Sequence, residues 1–293
     1  MSRYRFVEAE KQRHAVSLLC RVLEVSRAAY YRWKASPVSD RAAANLVLLR
    51  KIRKAHSESD GKYGSPRICA ELQDQGVKAS RGRIARLMAA SGIVGVRGRR
   101  RIRTTIAAKK PAPFGDLVKR RFKAARPNEL WCGDLTYVHT GEGFLYLATV
   151  IDVFSRRVIG WAIAPHMRAE LVSDALRMAM ANRRRQVSGV VFHSDRGAQY
   201  GAGIYKDLAR SAGVRQSMGR VADCFDNALA ESFFATLKGE LIYTRSWQTR
   251  HQARLAIVHW IEAIYNRRRR HSSLGMLAPM VYEQQHQVQC NAA

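Results

Sequence analysis

Two hydrophobic rhythms divide the chain. Up to about residue 96 the apolar positions recur at helical spacing; from residue 129 they alternate or run on, as in strands. Val16, Leu19, Cys20 and Leu23 form one helical face. Ser26 is placed to cap a second short helix, SRAAYYRW, which completes a helix-turn-helix rhythm over 14–33. Residues 40–57 read as a third helix, ended by Gly61, Gly64 and Pro66. A helix over 65–75 follows, with Ser65 as its expected cap and Pro66 in its first position, where a missing N–H costs nothing. Gly76 ends it. Ser80 caps the next helix, RGRIARLMAASG, which Gly92 closes.

After residue 129 the elements change. ELWCGDLTYVHT alternates, FLYLATVID is a continuous apolar run, and RRVIGWAIAP reads as a third strand, with Gly141 and Gly143 suited to the first hairpin. A helix at about 169–183, the short strand SGVVFHSD, a helix at 203–212, a strand near VRQSM and a helix over 223–238 complete the series. The order β-β-β-α-β-α-β-α predicts a mixed sheet covered by helices, which is the order of the ribonuclease H-like fold. The fold class is therefore α/β, with an all-α helix-turn-helix region in front. The expected divisions are a first helix-turn-helix-like unit at 1–57, a second at 58–96 and a linker at 97–126. The mixed-sheet domain, with a C-terminal helix, spans 127–280, and a tail spans 281–293.

Charge adds a partner. The 293 residues carry a net +28, which favours a polyanion. Residues 1–126 hold 31 Lys/Arg and 9 Asp/Glu, whereas 127–293 hold 20 and 14. The basic excess thus belongs to the helical half. Arg81, Arg83 and Arg86 open the second unit's last helix, where a recognition helix meets DNA. The segment 97–126, with Arg99, Arg100 and Arg101, has 12 basic residues against one acid. It is expected to touch phosphates through counterion release. The five cysteines are scattered without a C-x-x-C pair, which argues against zinc ribbons and disulfide frameworks and for a reducing compartment. No apolar run suits a membrane span or a leader. The expected location is cytoplasmic.

The candidate chemistry lies in carboxylates. Asp134 interrupts a strand of good strand formers, a local rule broken inside a consistent element. Asp195 directly follows the strand VVFHS, at the end where such sheets collect ligands. Glu231 lies off the stripe Leu229, Phe233, Leu237 of the last helix, with Lys238 seven residues on, nearly above it. Asp226 or Asn227 is positioned to cap that helix. If the sheet brings the three carboxylates together, they repel unless cations lie between them. Hard oxygen ligands suit Mg²⁺ or Mn²⁺. Two such ions about 3.5–4 Å apart would activate a water or a 3′-hydroxyl and stabilise the leaving oxygen of a phosphodiester.

The segments WCGDLTYV, FHSDRGAQY and DNALAESFFATLK resemble the integrase core of DDE transposases and retroviral-type integrases, with 35 residues between Asp195 and Glu231 and a lysine seven after the glutamate. KYGSPRI, VIDVFSRRVIGW and YNRRRRHSSLGMLAP resemble the bacterial insertion-sequence transposases whose second reading frame encodes the catalytic part. The resemblance runs from about Leu18 to Pro279. It implies that Asp134, Asp195 and Glu231 are the catalytic, metal-binding triad and that Lys238 contacts DNA beside it. It also implies that the helical units grip the element's terminal inverted repeats, and that freed 3′-hydroxyls are joined to target DNA by transesterification. A homo-oligomer on DNA, and fusion or partnership with an upstream-frame helix-turn-helix protein, are expected as well. No leucine-zipper segment follows Met1, so that partner region is expected to lie outside this chain.

Other residues have blander readings. Asp152 more simply ends the second strand, and His193 reads as structural or substrate-positioning. Arg269 and His271, within the run Arg267 to Arg270, are expected to meet phosphates. Two further functions share parts of the pattern. A DNA-binding repressor needs only residues 1–126, and a ribonuclease H-like nuclease needs only the triad. A tyrosine recombinase leaves the carboxylate spacing without a role.

Overall fold

The computed structural model describes residues 2–35, 39–96, 114–119, 121–184, 186–219 and 228–292. The chain forms two compact units, Met1–Gly95 and Val96–Ala293. Arg99, Arg100, Arg101 and the capping candidates Asp226 and Asn227 lie outside the described residues.

The first unit is all helix. α1 (Arg3–Glu10), α2 (Val16–Val22) and α3 (Arg27–Ala35) enclose Val7, Leu19, Cys20 and Tyr30. The Ser26 hydroxyl accepts the Ala29 N–H at 3.1 Å, the cap expected there. α1 has only Val7 buried and therefore no stripe to read in the sequence. α4 (Asp40–Glu58), α5 (Ser65–Asp74) and α6 (Arg81–Ala90) share a second core of Leu48, Ile52, Ile68, Leu72, Ile84 and Met88. α4 thus packs with the helices that follow it, although the sequence reading grouped it with 1–57. Its inward residues complete the α5–α6 core. Ser80 caps α6 by accepting the Arg83 N–H at 3.3 Å. Ser65 does not cap α5: Gly64 takes the N-cap position, no side chain bonds there, and Pro66 occupies the first turn.

The second unit is built on β1 (Leu130–Thr140), β2 (Gly143–Asp152), β3 (Val158–Ala164), β4 (Val191–Ser194) and β5 (Arg215–Met218), in the sheet order β3-β2-β1-β4-β5. β1, β2 and β3 pair antiparallel, while β4 and β5 extend the sheet in parallel. Strand alternation sends β1 side chains to two cores. Leu130, Cys132 and Val138 face α9 (Ala228–Glu240) and α10 (Arg250–His259). Trp131 faces α7 (Ala169–Asn182) and α8 (Gly203–Ser211). This is the mixed, helix-covered ribonuclease H-like sheet.

Three features lie beyond the expected series. α10 runs into a π-helical segment, Trp260–Tyr265, and the chain ends in α11 (Pro279–Ala292). The stretch 281–293, expected as a tail, therefore lies largely in a helix. Glu283 holds α11 down through Ser155 (2.7 Å), Arg157 (2.8 Å) and Arg183. The end of the expected linker also packs on this unit: Val118 is buried, and the Leu117 N–H donates to Ser217 at 2.9 Å.

Candidate active site

The site follows from strand register. β4 pairs with β1 over Leu130–Gly133, and the last partners are Gly133 and Ser194. The next residues on the two parallel strands are Asp134 and Asp195. Adjacent strands lie about 4.8 Å apart, so this register sets the two carboxylates side by side. Gly133 serves the approach: a Cβ there would lie 2.2 Å from the Phe192 ring of β4. Asp134 shares the parity of Cys132 and Val138, the α9 side of the sheet. From α9, Leu229, Phe233 and Leu237 are buried as the stripe predicted, while Glu231 and Lys238 are half-buried. Two helical turns separate Glu231 from Lys238, so both project along one line.

Electrostatics shows the convergence. The Asp134 carboxyl is pushed up to about 8, first by burial, then by the charge of Asp195, with Glu231 adding to it. Its Oδ1 accepts the Leu135 N–H at 2.7 Å, which with Lys238 opposes that rise. Asp195 is exposed, yet the protein packed around its carboxyl still raises it. Its Oδ1 accepts the Gly197 N–H at 3.0 Å. Burial lowers the Lys238 ammonium, and Asp134 works against that. Lys238 Nζ lies 5.5 Å from the centre of the Tyr137 ring. Opposite Asp134 in the β1–β2 ladder is Thr149, buried, its hydroxyl without a hydrogen-bond partner. Sequence reasoning passed over Thr149, because only the register reveals it.

Among the described residues no group of three His, Cys, Asp or Glu side chains is assembled to hold a metal ion. Asp195 and Glu231 nevertheless both add their charge at Asp134. The side chains themselves fit: all three are carboxylates, whose hard oxygens suit Mg²⁺ or Mn²⁺.

Comparison with known proteins carries the family. Integrase core domain models match residues 124–224 and 212–279, and an HTH-like domain model matches 43–101. The transposase InsF for insertion sequence IS3A of Escherichia coli (strain K12) is 36% identical over 283 residues, 96% of this chain and 98% of that one. The chain belongs to the insertion-sequence transposases. The transposase for insertion sequence element IS629 of Shigella sonnei is 37% identical over 274 residues, covering 92% of this chain and 91% of that one. Members of this family are polynucleotidyl transferases that act on DNA.

The remaining predicted residues of the transposase separate into two groups. In the first unit Arg81, at the start of α6, and Arg86, midway along it, are exposed, while Arg83 leans on α4 and donates to Asn45 at 2.9 Å. In the second unit Arg269 departs from the expected phosphate contact. It is buried, and its guanidinium forks onto Glu240, the last residue of α9, with contacts of 2.8 to 3.0 Å. As the chain leaves the π-helical segment through a turn, Asn266 and Arg269 are buried beside Tyr265, and Arg267 and Arg268 are exposed. Asn266 donates to the Val158 carbonyl at 2.9 Å and accepts its N–H at 3.0 Å. Tyr265 meets Phe233 edge-on at 4.8 Å. The basic motif therefore clamps the helix that carries Glu231. His271 is half-buried, its ring edge-on to Tyr265 at 5.0 Å. Asp152 is wholly buried and paired with Arg183 at 3.0 Å, a structural role. His193 is buried against the Ser217 hydroxyl at 2.9 Å.

Proposed function

We propose that Asp134, Asp195 and Glu231 form the catalytic centre of metal-dependent cleavage and strand transfer at the ends of an insertion sequence. The observation that carries this reading is the β1–β4 register, which sets Asp134 beside Asp195 while Glu231 adds its charge at Asp134. These three residues would hold two Mg²⁺ or Mn²⁺ ions. Bound there, such ions supply the charge that activates a water or a 3′-hydroxyl and stabilises the departing oxygen of a phosphodiester. The chain's own residues do the positioning. The Leu135 and Gly197 N–H groups fix one oxygen each of Asp134 and Asp195. The clamp on Phe233 and Glu240 holds Glu231 in place from both sides along α9. Lys238 offers an ammonium to a DNA phosphate beside the reacting one.

Arg81, Arg83 and Arg86 would meet the terminal repeats, with Arg99, Arg100 and Arg101 adding phosphate contacts. Bringing two ends together calls for a homo-oligomer on DNA, and the upstream-frame helix-turn-helix product is a further partner in this reading. Among the described residues no helix is long and apolar enough to cross a membrane. The proposed place of work is the cytoplasm, at the nucleoid. The test incubates the protein with labelled element ends and Mg²⁺. Joined product supports the reading, cleavage alone points to a nuclease, and binding alone points to a repressor.

A further inference from the structure

A buried hydroxyl with nothing to bond stands beside the carboxylate site. Thr149 is directly opposite Asp134 in the β1–β2 ladder, and opposite residues of two antiparallel strands project from the same face. Their Cβ atoms therefore lie about 4.5–5.5 Å apart, within reach of a hydrogen bond from hydroxyl to carboxylate. Thr149 is 1% exposed, and its Oγ1 has no hydrogen-bond partner. A buried hydroxyl left unpaired costs stability and calls for an explanation.

The surroundings narrow what that hydroxyl can meet. Along β2 its neighbours on the same face are Leu147 and Ile151, both apolar and buried. On the other side β3 sets Trp161 opposite Thr149, and the Trp161 indole N–H is already given to Glu262 at 2.7 Å. An indole has no acceptor to offer in return. Of these flanking side chains only Asp134 can take the hydroxyl proton. Its Oδ1 accepts the Leu135 N–H, which leaves Oδ2 for a second donor.

We propose that Thr149 is a positioning residue of the metal site, whose hydroxyl donates to Asp134 Oδ2 and holds that carboxylate in the pose that grips a cation. A turn about one side-chain torsion, between staggered wells, brings the hydroxyl round. A carboxylate has about four lone-pair sites, so the Leu135 N–H and the Thr149 hydroxyl together still leave room for metal. Carboxylates that ligate a metal are themselves hydrogen-bonded, and losing such a partner weakens metal binding by about 10- to 100-fold. Thr149 touches neither metal nor DNA and acts only through Asp134. The proposal deepens the metal-dependent reading and rests on it for the cation.

The test compares Thr149→Val, which keeps the shape and removes the hydroxyl, with Thr149→Ser, which keeps the hydroxyl and removes a methyl group. Binding of Mn²⁺ alone to the full chain is read from the electron paramagnetic resonance signal of the free ion, and folding from Tm without metal. Thr149→Val is expected to hold or raise Tm, because an unpaired buried hydroxyl is gone, yet to weaken Mn²⁺ binding by about 10- to 100-fold. Thr149→Ser is expected to lower Tm and to bind Mn²⁺ as wild type does. A merely structural threonine gives the opposite order, with serine the worse replacement. Thr149→Val that binds Mn²⁺ like wild type overturns the proposal, and so does Thr149→Ser that loses affinity. The serine result stands by itself if Thr149→Val does not fold. Asp134→Asn separates the two readings. If it binds Mn²⁺ as tightly as wild type, the triad reading fails; if it loses binding while Thr149→Val keeps it, only the role of Thr149 fails.

Discussion

Two sets of arginines, one in each unit, behave oppositely. In the first, Arg81 and Arg86 stand in solvent on α6, and described ion pairs such as Arg13–Glu10 and Lys54–Glu58 join close neighbours in sequence. In the second, Arg269, Arg183 and Arg157 turn inward and bind Glu240, Asp152 and Glu283 across long stretches of chain. A buried charge is tolerated only when it is paired and hydrogen-bonded, so these arginines are committed to the fold. The first unit instead spends its charge on its surroundings, where polyanion binding needs it. Positive charge alone therefore does not mark a DNA contact; exposure and pairing decide.

The sharpest way to break this contrast is Arg269→Ala. It takes the guanidinium away from the buried Glu240 carboxylate and should cost about 3–5 kcal/mol in urea unfolding. Replacing both residues by apolar ones of similar size should recover most of that loss. An unchanged urea midpoint for Arg269→Ala would place Arg269 with the surface arginines. Asn266→Ala removes both hydrogen bonds to Val158 and leaves its buried backbone groups unsatisfied, at about 1–3 kcal/mol.

Much of this fold was readable in advance because its strands are strongly patterned. The continuous run of β2 and the alternation of β1 have few alternatives, and the Leu229, Phe233, Leu237 stripe fixed which side of α9 is buried. What stayed hidden depends on partners far away in sequence. Which carboxylates meet is decided by the β1–β4 register, and four consecutive arginines look alike until the turn after the π-helical segment buries Arg269 against Glu240. α11 was illegible for a related reason. It is held by Glu283 and by Tyr282 and His286 against Phe154, at 5.0 and 4.7 Å, and not by an apolar stripe.

Asp134 supplies a pH test. Its folded carboxyl titrates at about 8, above the unfolded value of roughly 3.9. The metal-free folded state therefore binds this proton more tightly than the unfolded chain does. This contribution to stability is full below about pH 4 and is lost as pH rises towards 8. Asp134→Asn should flatten the fall of Tm over that window and raise Tm at pH 8 without metal. A variant whose Tm tracks wild type across the window would show that burial and the neighbouring charges do not raise this carboxyl in the folded state.

The smallest expected effects belong to the first unit. Arg81→Ala and Arg86→Ala should each leave stability within about 0.5 kcal/mol of wild type. Each should also reduce the slope of log binding constant against log salt by about 1. A large stability loss with an unchanged slope would mean that these side chains, too, belong to the fold.

The central claim concerns the carboxylates. Labelled element ends should be incubated in Mg²⁺ with Asp134→Asn, Asp195→Asn and Glu231→Gln, scoring end binding and joined product together. The account predicts that each variant binds ends as wild type does and yields no joined product. Joined product from any one of the three would contradict it.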